Sequence, residues 1–83
     1  MQTVETLKRF IIGEIATELD LKDIAADQSL LETGILDSLG ILKLVTFIEA
    51  QFLLKIDDEE MIPENFETLS GISKMISAKK ASS

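Results

Sequence analysis

Apolar residues fall at Val4, Leu7, Ile11, Ile15 and Leu19, in steps of three and four. That spacing keeps one helix face apolar and predicts a first helix over 3–19. Glu5, Lys8, Glu14 and Glu18 fall on other faces, and Thr3 is placed to cap the start, with Glu5 in the first turn. The period then stops. Residues 20–37 predict a long loop anchored to the core by Ile24 and Leu30. One short helical turn is expected inside it, where Ser29 and Glu32 have capping-box spacing and Gly34 supplies a stop. A loop this long inside a compact domain is often functional.

The helical period returns at Ile41, Leu44, Val45, Ile48 and Phe52 and predicts a second long helix over 38–53. Leu39, Leu42 and Phe47 lie off that stripe. This helix is therefore wider on its apolar side than burial in a small bundle requires. Residues 57–62, DDEEMI, predict a single turn capped by Asp57 or Asp58. Pro63 ends it, because proline disfavours helical backbone at Ile62. Asn65 and Phe66 lead to a last helix over about 68–79, with Leu69, Ile72 and Ile76 inward and Thr68 as cap. Lys79 and Lys80 suit its C-terminal dipole. The pattern predicts an all-α fold of three longer helices and a short one, since a small bundle buries three apolar stripes at once. One domain spanning 1–83 is expected, with an ordered core over about 3–79 and a frayed tail over 80–83.

Composition narrows the chemistry. The 83 residues contain no histidine and no cysteine. A disulfide, a Cys/His zinc site, a catalytic thiol and a catalytic imidazole are thereby excluded. Most nucleophilic and general-base chemistry uses residues this chain lacks. The net charge is −7, which disfavours nucleic acid and suits partners with basic surfaces. The acids at 57–60 and in the first loop raise the question of calcium. No twelve-residue stretch combines alternating ligands, a central glycine and a closing glutamate. No segment has the ~18 consecutive apolar residues of a membrane span. MQTVETLKRF carries Glu5 early and has no apolar core of the signal-peptide kind, so a cytoplasmic protein is expected.

One stretch resists the helical pattern. Residues 34–41 read GILDSLGI, an Asp-Ser pair among glycines and large aliphatics. Asp37 and Ser38 stand where helix caps belong, and either alone would serve. Gly34 and Gly40 bracket the pair, and a small residue at 40 is expected to leave room for another molecule at Ser38. Leu39 and Leu42 beside an accessible hydroxyl suggest a docking surface. A serine at a helix N-terminus is also well placed to hold a phosphate, since unpaired N–H groups and the dipole favour negative charge there. Ser38 has no histidine to activate it, and Lys43 lies over a turn away, so an attachment point fits better than a nucleophile.

GILDSLG, the helix ILKLVTFIEAQF and the segment IDDEEMIPENFETL together resemble the acyl carrier and peptidyl carrier protein family over about residues 4–79. The resemblance implies a four-helix bundle of acyl-carrier type. It implies that Ser38 carries a covalent 4′-phosphopantetheine arm, transferred from coenzyme A, whose thiol holds acyl groups as thioesters. Asp37 matches the acid that engages the modifying phosphopantetheinyl transferase and its magnesium. Leu39 and Leu42 match partner-facing apolar positions, and Lys43, Thr46 and Glu49 lie on the same helix as further docking positions. The chain would be a non-catalytic monomer, served by the transferase, a loading ligase and downstream synthases. The Gly-Ile-Leu-Asp-Ser lead, the glycine after Ser-Leu and Pro-Glu-Asn-Phe look more like free-standing aminoacyl or D-alanyl carriers than fatty-acid ones. The cargo therefore stays open between acyl and aminoacyl or peptidyl groups. A helical adaptor with Asp37-Ser38 as a plain cap is the competing expectation.

Overall fold

The computed structural model describes residues 2–82, and side chains over 3–81. All the described regular structure is helical: α1 Gln2–Phe10, α2 Ser38–Phe52, α3 Pro63–Phe66 and α4 Leu69–Ser82, with short tighter or wider turns between them. Leu7, Ile11, Ile24, Leu30, Leu44, Ile48, Phe66, Leu69, Ile72 and Ile76 meet in one core at no more than 1% exposure. Helices, loop and turns all contribute to it, and α1 and α3 both pack on α4. Burying each large apolar side chain contributes roughly 1.5–3 kcal/mol, so an 83-residue chain depends on every one of these.

The first helix departs from its sequence pattern. After Phe10 it widens into a π-helical segment, Ile11–Ile15, closed by the Ala16 N–H on the Ile11 carbonyl at 2.7 Å. One extra residue in a turn rotates everything after it by about 100°. Ala16 consequently becomes a core residue, while Leu19 ends 49% exposed instead of continuing the buried face. A tighter turn, Thr17–Leu19, follows, and Asp20 leaves it in the left-handed region at φ 51°. Thr3 lies inside α1 rather than capping it, and the position before Gln2 is outside the described residues.

The long loop is tied down as Ile24 and Leu30 predict, and Ile35 and Leu36 are buried as well. Backbone bonds stitch it to the far end of the chain. Leu30 N–H donates to the Glu67 carbonyl at 2.7 Å and Ser70 N–H to the Ala26 carbonyl at 3.0 Å. The turn at Ser29 forms half of the expected capping box. Its hydroxyl accepts from Glu32 N–H at 3.1 Å, but it donates to the Glu67 carboxylate, and the segment turns without becoming a helix.

After α2 the acidic stretch folds as expected into one tight turn, Asp58–Glu60, with Asp57 N–H donating to Glu60 Oε1 at 2.9 Å. Ile62 is extended (φ −110°, ψ 153°), as a residue before proline should be. Pro63 then does more than stop a helix. It occupies the first position of α3, where its missing N–H costs nothing, and that single turn delivers Phe66 to the core. Thr68 caps α4 as its position predicts, its Oγ1 accepting from Gly71 N–H at 3.0 Å. The helix runs to Ser82, past the end expected near residue 79. Lys79 reaches back to Glu60 Oε1 at 2.5 Å, closing α4 onto the acidic turn.

Candidate functional site

The start of α2 is built from the residues before it. Gly34 takes φ +79°, which only glycine adopts without strain, and turns the chain inward. Ile35 and Leu36 then plunge into the core, at 5% and 2% exposure, and Leu36 N–H bonds the Leu30 carbonyl at 2.9 Å. The next residue is back at the surface. Asp37 is extended, and its Oδ1 accepts from Gly40 N–H at 2.7 Å while its carbonyl accepts from Ile41 N–H at 2.8 Å. Asp37 is therefore the N-cap, and it leaves Ser38 as the first helical residue. Ser38 is exposed, and its hydroxyl makes no hydrogen bond among the described residues.

The Asp-Ser pair thus divides its tasks. One residue caps, so the other is free. The free hydroxyl sits over the positive end of a 15-residue helix dipole, with the Ser38 and Leu39 amides at the same end. That arrangement suits a phosphodiester.

Gly40 corrects an expectation. It is buried, and a Cβ added there would stand 3.0 Å from Ile15 Cγ2, 3.1 Å from Leu36 Cδ1 and 3.3 Å from Asp37 Oδ1. Its smallness lets α2 press against the π segment rather than leaving space for an incoming molecule. Gly34, by contrast, has nothing within 4 Å and is needed for its backbone angle.

Past the serine, Leu39 and Leu42 are 66% and 53% exposed, as their off-stripe positions predict. Lys43 and Thr46 are also exposed, and Thr46 Oγ1 donates to the Leu42 carbonyl at 3.1 Å. Glu49 does not join them. It is half-buried, and its Oε2 accepts from Ile56 N–H at 2.8 Å, fastening the segment after α2. The expected acidic surface at this helix is therefore missing. Glu49 is its sole acid, and the exposed carboxylates gather instead at Asp57, Asp58 and Glu59.

Phe47 was expected to fill the interior. It is half-buried and lies flat on Phe10, ring centroids 4.0 Å apart and planes 12° from parallel. The pair floors an open groove of about 430 Å³ between α1 and α2, rimmed by Glu14, Lys43, Thr46 and Ala50. Among the described residues, no group of three or more Asp or Glu side chains is placed to hold a metal ion.

Ile15, Ile35 and Leu36 are the site residues that sequence pattern alone misses. Their signal is weak: an aliphatic pair in a loop and an apolar residue far upstream.

Residues 9–76 match the family described as "Phosphopantetheine attachment site". The chain belongs to this family of carrier proteins. Its members carry a covalent 4′-phosphopantetheine and do not themselves catalyse. A holo acyl carrier protein from Nitrosomonas europaea, solved in solution, is 29% identical with a TM-score of 0.75, each chain fully covered. A chain in the crystal structure of an FAD-dependent dehydrogenase is 34% identical with a TM-score of 0.72, over 84% of this carrier and 97% of that chain. A third similar chain comes from the crystal structure of Bradyrhizobium japonicum glycine:[carrier protein] ligase complexed with glycylated carrier protein. It is 23% identical with a TM-score of 0.68, over 89% of this carrier and 93% of that chain. No curated protein matches the carrier. No described helix is long and apolar enough to cross a membrane.

Proposed function

We propose that Ser38 bears the arm, and that the carrier tethers acyl intermediates on it and presents them to partner enzymes. The observation that carries this is the exposed, unbonded Ser38 hydroxyl at the start of α2, freed by the Asp37 cap. Ser38 Oγ attacks the pantetheine-side phosphorus of coenzyme A. The P–O bond to 3′,5′-ADP breaks, and the serine proton passes to a base of the transferase, since this chain has no histidine. Asp37 spends Oδ1 on its cap, and its other oxygen is available to the transferase's magnesium. The helix N-terminus then holds the phosphodiester charge. When bound, the arm supplies the thiol that a chain without cysteine lacks.

A second reading has its own support: an aminoacyl cargo, loaded by an adenylating enzyme. A similar fold carries glycine in the Bradyrhizobium complex. The GILDSLG lead points the same way.

Co-expression with a broad-specificity phosphopantetheinyl transferase, followed by intact mass, tests the attachment. One adduct is expected, lost in Ser38→Ala. An adduct that survives Ser38→Ala, or none with any transferase, overturns it and favours a plain adaptor. Offering the modified carrier to adenylating enzymes with acyl and amino acid pools decides the cargo, and selective amino acid loading overturns the acyl reading.

A further inference from the structure

The exposed side of α2 and the groove beside it form one surface. At 100° per residue, Leu39, Leu42, Lys43, Thr46 and Ala50 share a sector of about 100°. Leu39 and Leu42 project from it, and the groove floored by Phe10 and Phe47 lies along its edge. Lys43 also borders a smaller recess, of about 150 Å³, formed with Ile15, Asp37, Leu39 and Gly40 at the start of the helix. The apolar surface therefore runs unbroken from beside Ser38 across to α1.

Its charge is unlike that of the chain. The protein carries −7 overall, yet this surface has one cation, Lys43, and one carboxylate, Glu14, on facing rims of the groove. The acid of α2, Glu49, is turned to the Ile56 amide. Glu60 is held by Lys79, and Asp57, Asp58 and Glu59 belong to the turn beyond the helix. A basic partner approaching Ser38 thus meets a locally neutral, apolar face, and apolar burial rather than long-range attraction must supply the binding.

We infer that the transferase that modifies this carrier docks through an apolar surface. It inserts an aromatic or long aliphatic side chain over the Phe10–Phe47 pair and sets a carboxylate against Lys43. This rests on the carrier reading of Ser38. It adds that the docking surface extends onto α1 and that its partner is not basic.

The test uses two transferases of known structure, one with an apolar carrier-binding face and one with a lysine- and arginine-rich face. The kcat/KM for modification of the full chain is followed by intact mass at about 50 and about 500 mM salt, which bracket weak and strong screening. With the apolar-faced enzyme, kcat/KM is expected to change less than about twofold with salt. It is expected to fall about tenfold in Leu42→Ala and in Ala50→Arg, the second of which blocks the groove. Both positions are exposed, and unchanged thermal unfolding verifies that the fold is intact. Lys43→Glu is expected to slow the apolar-faced enzyme and speed the basic-faced one. Faster modification of the unaltered chain by the basic-faced enzyme, with a steep loss in salt, overturns the inference. So does an unchanged rate in Leu42→Ala and Ala50→Arg. No adduct from either enzyme instead removes the carrier reading itself.

Discussion

Gly40→Ala sets two effects of opposite sign against each other. Alanine is the better helix former by about 1 kcal/mol, so in an open helix the change would stabilise. Here the new methyl would stand 3.0 Å from Ile15 Cγ2, 3.1 Å from Leu36 Cδ1 and 3.3 Å from Asp37 Oδ1. Leu36 is 2% exposed, so it has little freedom to retreat. Forcing an extra methyl into packed surroundings costs about 1–3 kcal/mol. Asp37 Oδ1 also holds the cap, which contributes about 1 kcal/mol, and pushing it aside loses part of that. The balance is a net loss of about 1–2 kcal/mol, or a fall in Tm of roughly 4–15 °C for a chain of this size. Thermal and urea unfolding by circular dichroism measure it directly. Gly13→Ala is the internal control. Nothing lies within 4 Å of its added methyl, and it should hold or raise Tm. A Gly40→Ala protein as stable as the parent, or more so, would refute the close-packing account and restore the idea that the glycine is there to leave space.

Asp37→Asn should separate the two tasks of that residue, because asparagine caps as well as aspartate. Stability should stay within about 0.5 kcal/mol while modification by the transferase slows, whereas Asp37→Ala should lose about 1 kcal/mol as well. Leu53 ends α2 at φ +54° and is 89% exposed, so Leu53→Gly should relieve left-handed strain and gain about 1 kcal/mol in urea unfolding. The Lys79 ammonium, with the Asp57 N–H, holds the Glu60 carboxyl below its usual 4.5. A lowered folded pKa gives stability that is present above 4.5 and is lost as pH falls through the folded value. Tm measured from neutral pH downward should decline across that window, and Glu60→Gln should flatten the decline. Lys8 is raised above 10.5, first by its hydrogen bond to Asp23, so its contribution should be lost only as pH rises through that raised value.

The long helices were legible because each repeats its apolar spacing for several turns. α2 begins at Ser38 and buries Leu44, Val45 and Ile48, as the stripe required. The widening at Ile11–Ile15 was not legible, since its apolar residues fit an ordinary helix equally well and only packing on α2 distinguishes the two. α3 was missed because four residues carry no period, and a proline reads the same whether it stops one element or starts the next. At the site, the cap and the free serine were visible in Asp37-Ser38 as a pair, but not which residue did which. Gly40 was misread because a glycine says that something comes close without saying what. Here the neighbours are Ile15 and Leu36, which sequence distance hides. Glu49 looked like a surface acid because its partner is a backbone amide, which no side-chain pattern marks.

The stitching of the long loop sets a schedule for making this protein. The lead into Ser38 is positioned through Leu30 and Ala26, and these bond the carbonyl of Glu67 and the amide of Ser70. During synthesis, residues 26–38 leave the ribosome well before their partners exist. The serine emerges early, but its setting is completed only when the last quarter of the chain arrives. Maturation is therefore coupled to completion. Nascent chains stalled before Glu67 should present a serine without its frame, and the cell would spend coenzyme A on finished molecules rather than on fragments.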